Sequence, residues 1–304
     1  MYIVDMHCDS LMTVSGEVGL INRYNFSTKY PQLQFVAHFS ECGGREPISR
    51  RQALLRDINV YLSECERLGL KRIKGVKDIL AFEDGDSRYS LFSIEGGAGL
   101  FSDSEEFDAL TSAGLFVFAP AWDKNELSAS SWDEIDTGLT EEGRRIIKKC
   151  EELSVITDVS HMSDKAFYET LELTSMPIVA TYSNFREVCP SKRNLTLDMA
   201  KKIALRGGVI GINLYPEFLR EKDASADDII RHVDYALENL GEDVLGFGFD
   251  IDGTDGLYPI GISSERSIHD QVIELLLSRY PEAVVKKIAG ENVIRFLKNN
   301  ISVL

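Results

Sequence analysis

Short apolar runs alternate with amphipathic stretches along nearly the whole chain. Eight runs read as strands: Tyr2–Asp9, Leu33–Phe39, Leu91–Gly96, Leu115–Ala121, Val155–Ser160, Pro177–Ser183, Gly208–Asn213 and Val244–Asp250. Between and after them, helical periodicity marks Ser49–Leu68, Glu105–Ser112, Thr140–Leu153, Asp164–Leu173, Leu197–Arg206, Ala226–Leu240, His269–Arg279 and Glu282–Asn299. Strands alternating with helices predict a parallel sheet, and eight such units predict a closed α/β barrel, the (β/α)8 or TIM barrel. A doubly wound open sheet is the competitor. It would begin with a glycine-rich phosphate turn after its first strand, and here that turn is His7-Cys8-Asp9-Ser10. The expected organisation is one barrel domain over residues 1–304, with insertions after strands two and four and helices at the C-terminal end. Such insertions lie over the C-terminal face of a barrel and shape its pocket.

Composition narrows the function more than the fold. With 44% hydrophobic residues over 304, a large core can be filled. The 49 acidic against 33 basic residues give a net charge of −16, which argues against nucleic acid or an anionic membrane surface as a partner. Five cysteines (Cys8, Cys42, Cys65, Cys150 and Cys189) are odd in number and lack a Cys-x-x-Cys spacing, so neither a disulfide scaffold nor a thiolate zinc site is expected. The start, MYIVDMHCDS, lacks the basic residues and long apolar run of a secretory signal, and LKNNISVL lacks a lipid-anchor tail. A reduced, cytoplasmic protein is the expectation.

Chemistry-bearing side chains gather at strand ends. Asp5, His7 and Asp9 share one parity of the first strand, so a His-x-Asp pair points one way at its C-terminal end. Imidazole and carboxylate suit zinc and similar divalent ions. Glu95 ends an otherwise apolar strand, where a carboxylate needs an ion pair or a metal. His161 closes strand five, just before the helix-capping pair Ser163-Asp164. Asp250 stands at the mouth end of strand eight, where it could act as a general base, while Asp252-Gly253 reads as a turn. His38 could reach the mouth; His232 and His269 read as solvated or satisfied in the core. No G-x-S-x-G elbow is present, which argues against a serine nucleophile.

Together these pieces resemble the membrane dipeptidase (renal dipeptidase) family of zinc peptidases. The matching segments are VDMHCDSL, SIEGG, LTEEGRRIIKKCEELSVITDVSHMSD, VCPSKRN, GVIGINLY, LGFGFDIDG and AGENVIRFLK, in order over nearly the whole chain. The resemblance implies a (β/α)8 barrel holding two zinc ions that share a bridging glutamate. Carried over, His7, Asp9 and Glu95 hold one ion, and Glu95 with His161 holds part of the second. Asp250 becomes the acid/base, Arg193 the partner of a substrate carboxylate, and Asn194 and Tyr215 pocket neighbours. The implied reaction is hydrolysis of a dipeptide or similar small amide, and the resemblance allows a homodimer.

Two positions depart from the family. Its Ser-His-Ser after strand six is Thr181-Tyr182-Ser183 here, so Tyr182 would have to ligate as a phenolate, against an ordinary pKa of about 10. Where the family places a His or Trp after strand four, this chain has Ala121, with Trp122 adjacent. The alternatives to a dipeptidase are therefore a mononuclear amidohydrolase or a non-catalytic binder of small carboxylates on the same fold.

Overall fold

In the computed structural model most strands are shorter than the apolar runs, the second and third being one residue longer, and they close into a ring. The structure describes residues 1–11, 13–14, 17–18, 26–39, 47–97, 110, 114–254 and 256–301. The first strand is Ile3–Asp5, the second Gln32–Phe39, the third Tyr89–Glu95 and the fourth Leu115–Ala119. The fifth is Ile156–Thr157, the seventh Ile210–Ile212 and the eighth Leu245–Phe247. All neighbours run parallel, and the first strand pairs with both the second and the eighth.

The sixth place is held by residues 179 and 180 alone. Val179 bridges to Asp158, and Ala180 bridges to Ile210. Val159 N–H donates to the Val179 carbonyl at 2.8 Å, and Ala180 N–H to that of Val209 at 3.1 Å. These bonds complete the (β/α)8 barrel. The expected Pro177–Ser183 strand is cut to two residues because the chain leaves the ladder there and turns Tyr182 into the mouth. Gly211 and Gly248 pack so tightly against this turn that a Cβ on either would run into the Thr181 carbonyl.

Val4, Leu33, Leu91, Val117, Ile156 and Val179 bring strands one to six into a common cluster, joined by Val209 just before strand seven. That is the packed interior a small barrel needs. Val293, Ile294, Phe296 and Leu297 of helix Asn292–Asn300 pack against it. A larger cluster lies between the strands and the outer helices.

The capping residues place the helices. Thr140, Ser163 and Thr196 accept from the backbone N–H groups of Gly143, Ala166 and Met199, starting helices Glu141–Glu152, Asp164–Leu173 and Leu197–Leu205. Ser225 and Asp228 form a capping box before Ala226–Leu240. Helix Pro47–Leu68 begins two residues earlier than expected, and Ile268–Leu277 covers most of the next-to-last prediction.

Three differences have local causes. Helix Val76–Glu83 has no side-chain cap and buries only Ile79 and Phe82, so its sequence carries little periodic signal. The short helix Pro216–Leu219 is a single turn started by proline. The predicted Glu282–Asn299 helix is interrupted by a π-helical segment, Lys287–Glu291, where Gly290 lies against the Tyr2 ring. The predicted Glu105–Ser112 helix falls almost wholly outside the described residues. Among the described residues no helix is long and apolar enough to cross a membrane.

Candidate metal centre

Alternation along the first strand would place Asp5 beside His7. The structure separates them. The strand ends at Asp5, whose Oδ2 lies 2.8 Å from His269 Nε2 on helix Ile268–Leu277. Asp5 Oδ1 accepts from the backbone N–H groups of His7, at 3.3 Å, and Phe249, at 3.0 Å. Asp5 thus pins the bend through which His7 and Asp9 turn into the mouth, and it ties that bend to the end of strand eight.

At the mouth His7 Nε2 lies 3.4 Å from Asp9 Oδ1, 3.7 Å from Glu95 Oε2 and 3.8 Å from Asp250 Oδ1. All four side chains are buried. These four atoms have no hydrogen-bond partner. Buried polar atoms normally find partners, so four orphans converging on one point fit the donor set of a bound cation. His7, Asp9 and Glu95 offer ligand atoms within 4.8 Å of one another, which fits one divalent ion. Gly253 keeps the space open, because a Cβ there would run into Asp250 Oδ1 and Asp9 Oδ2.

The electrostatics agree. Burial pushes His7 down, but Glu95, Asp9 and Asp250 overcome it and hold its pKa at about 10. Burial, then Asp9 among its neighbours, lifts Asp250 to about 7. Burial lifts Glu95 to about 8, with His7 opposing. The group of acids retains protons in the place a cation would take.

Asp250 adopts φ 61° and His161 φ 65°. Left-handed backbone is uncommon for residues other than glycine, and here it aims both side chains at the mouth. Asn213 Nδ2–H donates to Asp250 Oδ2 at 3.3 Å, leaving Oδ1 toward His7. Sequence reasoning passed over Asn213, although it ends the apolar run of strand seven at the same level as the other strand-end groups.

His161 and Tyr182 form the other side. The Tyr182 hydroxyl donates to Glu95 Oε1 and lies 2.6 Å from His161 Nε2. The Tyr182 ring stacks on His7 with centroids 3.7 Å apart, and the Arg193 guanidinium lies over it at 4.4 Å. Burial and Glu95 hold the phenol well above its ordinary value. In this structure Tyr182 meets Glu95 and His161 through its hydroxyl, as a hydrogen-bonding group.

Two further candidates lie behind the cavity wall, where Arg193 Nε has no hydrogen-bond partner. Arg193 is buried, with Nη1 donating to Ser183 Oγ at 2.7 Å and Nη2 to the Tyr182 carbonyl at 2.8 Å. Asn194 Nδ2 donates to the carbonyls of Cys189 and Phe218, both at 2.9 Å. Neither lines the cavity over the centre, so in this structure both shape the wall from behind. Tyr215 does line it, with Trp122, Trp132 and Phe218, around a volume of about 480 Å3. Ala121 is fully buried, and its neighbour Trp122, 37% exposed, forms part of the cavity wall. Among the described residues the lining holds Asp123 and Glu217 but no lysine or arginine.

His38 faces away from the mouth and pairs with Asp57 of helix Pro47–Leu68 at 2.7 Å. Both other histidines are buried in the core: His232 meets the Phe185 N–H and the Leu219 carbonyl, and His269 meets Asp5 through Nε2. Asp158 accepts from Ser160 and Thr181 and joins strands five and six. Cys8, Cys65, Cys150 and Cys189 are free and buried.

A family model of the membrane dipeptidases, peptidase family M19, matches residues 1–303. The chain belongs to the membrane dipeptidase family. Membership makes it a metal-dependent hydrolase of the dipeptidase type. Its relatives include a Klebsiella pneumoniae uncharacterized protein in the pqqA 5′ region, 34% identical over 68% of this chain and 80% of that protein. An Acinetobacter calcoaceticus uncharacterized protein in the PQQ-III 3′ region is 35% identical over 48% of this chain and 50% of its own length. Among solved structures, the fold is similar to dipeptidase AC, a metallopeptidase, with a TM-score of 0.86 and 23% identity over 99% of this chain and 98% of that one. It is also similar to a Rhodobacter sphaeroides metallopeptidase liganded with a phosphinate mimic of the dipeptide L-Ala-D-Ala, with a TM-score of 0.83 and 22% identity over 99% of both chains.

Proposed function

We propose that this member of the family is a zinc-dependent dipeptidase that uses His7, Asp9 and Glu95 as metal ligands and Asp250 as its acid/base. The convergence of the orphaned His7 Nε2, Asp9 Oδ1, Glu95 Oε2 and Asp250 Oδ1 carries this reading. When bound, zinc supplies Lewis-acid polarisation of a carbonyl and of water. Asp250 takes and returns a proton at Oδ1, held in place by Asn213 at Oδ2.

Tyr215, Trp122, Trp132 and Phe218 surround the bound substrate and exclude water from it. Asp123 and Glu217 favour the ammonium end of a dipeptide. Arg193 supports the wall through Tyr182 and Phe218, whose ring lies 5.7 Å from it. The bound mimic in the Rhodobacter enzyme makes L-Ala-D-Ala and its stereoisomers the first compounds to assay.

The test is a dipeptide panel with zinc-loaded protein, including N-acetylated counterparts. Hydrolysis of free dipeptides, with kcat/KM at least about tenfold lower for the acetylated forms, supports the reading; tenfold corresponds to about 1.4 kcal/mol. Metal-loaded, folded protein that binds dipeptides without turnover would make it a binding protein instead.

A further inference from the structure

The two sides of Glu95 differ in a way that bears on how many ions this centre takes. On the His7 side the ligand atoms are orphaned. On the His161 side Glu95 Oε1 and His161 Nε2 are already used, and His161 Nδ1 alone is without a partner. One hydroxyl, that of Tyr182, touches both Glu95 Oε1 and His161 Nε2, the two atoms that would face a second ion. Glu95 Oε1 and His161 Nε2 are themselves 3.6 Å apart, with the hydroxyl bonded to each.

We infer that the chain is a single-ion enzyme in which the Tyr182 hydroxyl takes the place of a second metal. The inference rests on the metal site proposed above. A hydroxyl carries one proton. Donated to Glu95, it leaves the 2.6 Å contact to be donated by His161 Nε2–H, so the lone pair a metal would need is occupied. The hydroxyl gives Glu95 Oε1 a hydrogen bond where a bridging carboxylate would use a metal bond, and it keeps Oε2 directed at His7.

Arg193 supports the same conclusion independently. Its guanidinium is 3% exposed, lies 4.4 Å from the Tyr182 ring centre and donates to the Tyr182 carbonyl. It fixes the tyrosine from its backbone and its ring, and it sets a buried positive charge beside the space a second dication would need. His7 stacks on the same ring, so Tyr182 joins the one metal site to the wall behind it. Tyr182 is thus a positioning residue for Glu95 and His161.

The experiment counts zinc per folded chain by mass spectrometry of the metal after equilibration with Zn2+ and removal of excess. It uses the full-length protein, wild type and Tyr182→His. One ion in the wild type and two in Tyr182→His are expected. Two ions in the wild type, or still one in a folded Tyr182→His, would overturn the inference while leaving the proposed zinc site standing. No ion in the folded wild type would overturn the proposed site itself. Electron paramagnetic resonance of Mn2+-loaded wild type gives a reading that needs no variant. An isolated-ion spectrum supports the single site, and an exchange-coupled pair contradicts it.

Discussion

At the scale of single residues, the centre depends on atoms kept without partners and on the neighbours that keep them so. Gly253 is the plainest case, because a methyl group there would enter the space between Asp9 and Asp250. Gly253→Ala should lower zinc affinity by at least about tenfold with little change in the fold, read by competition with a chelating dye; unchanged affinity would contradict the geometry. Asn213 acts one step further out. Its hydrogen bond lowers the pKa of Asp250, so Asn213→Ala should shift the acidic limb of the pH–rate profile to higher pH. It should also reduce kcat by roughly 10–100-fold, the usual cost of losing a group that orients a reacting side chain. A reduced rate with an unmoved limb would make Asn213 merely structural.

At the scale of elements, the strand ends matter more than the strands. His7 and Asp9 reach the mouth because Asp5 stops the first strand and bends it, with His269 holding Asp5 from an outer helix. Asp5→Ala removes acceptors from His269, His7 and Phe249 in a fully buried place. It should cost about 3 kcal/mol or more in chemical denaturation and weaken zinc binding in the same variant. A loss below about 1 kcal/mol would show that the bend holds without it.

The sequence made much of this visible and hid the rest for physical reasons. Eight apolar runs and their capped helices were legible because burial imposes their periods. The bend was not, since strict alternation put Asp5, His7 and Asp9 on one face. Strand six read as seven residues, yet only 179 and 180 pair, because close glycine packing and the exit of Tyr182 end the ladder. His7, Asp9, Glu95 and Asp250 could be named from their strand-end positions. That the Arg193 and Asn194 side chains turn into the wall, and that Tyr182 bonds Glu95 and His161 through its hydroxyl, depends on contacts far apart in sequence.

At the scale of the molecule, the centre couples metal binding to stability. In the metal-free protein Glu95 is raised from 4.5 to about 8, Asp250 from 3.8 to about 7 and His7 from 6.5 to about 10. A group whose folded pKa is raised contributes stability at low pH that is lost as pH climbs through that window. These losses span pH 4.5 to 8, 3.8 to 7 and 6.5 to 10 respectively. Zinc bound there would displace those protons, so its stabilising effect should grow over the same range. The zinc-induced rise in Tm should be larger at pH 8 than at pH 6, measured at equal free zinc. An equal or smaller rise would mean that these groups do not hold the ion.

If one set of residues holds a zinc ion that supports dipeptide hydrolysis, occupancy and turnover must rise together. The most direct measurement strips the protein with a chelator, titrates Zn2+ back, and follows occupancy and L-Ala-D-Ala hydrolysis in the same sample. No turnover is expected in the stripped protein, with activity rising in proportion to occupancy and reaching its plateau at one ion per chain. Turnover that survives stripping, or a fully occupied site that hydrolyses no dipeptide, would contradict it.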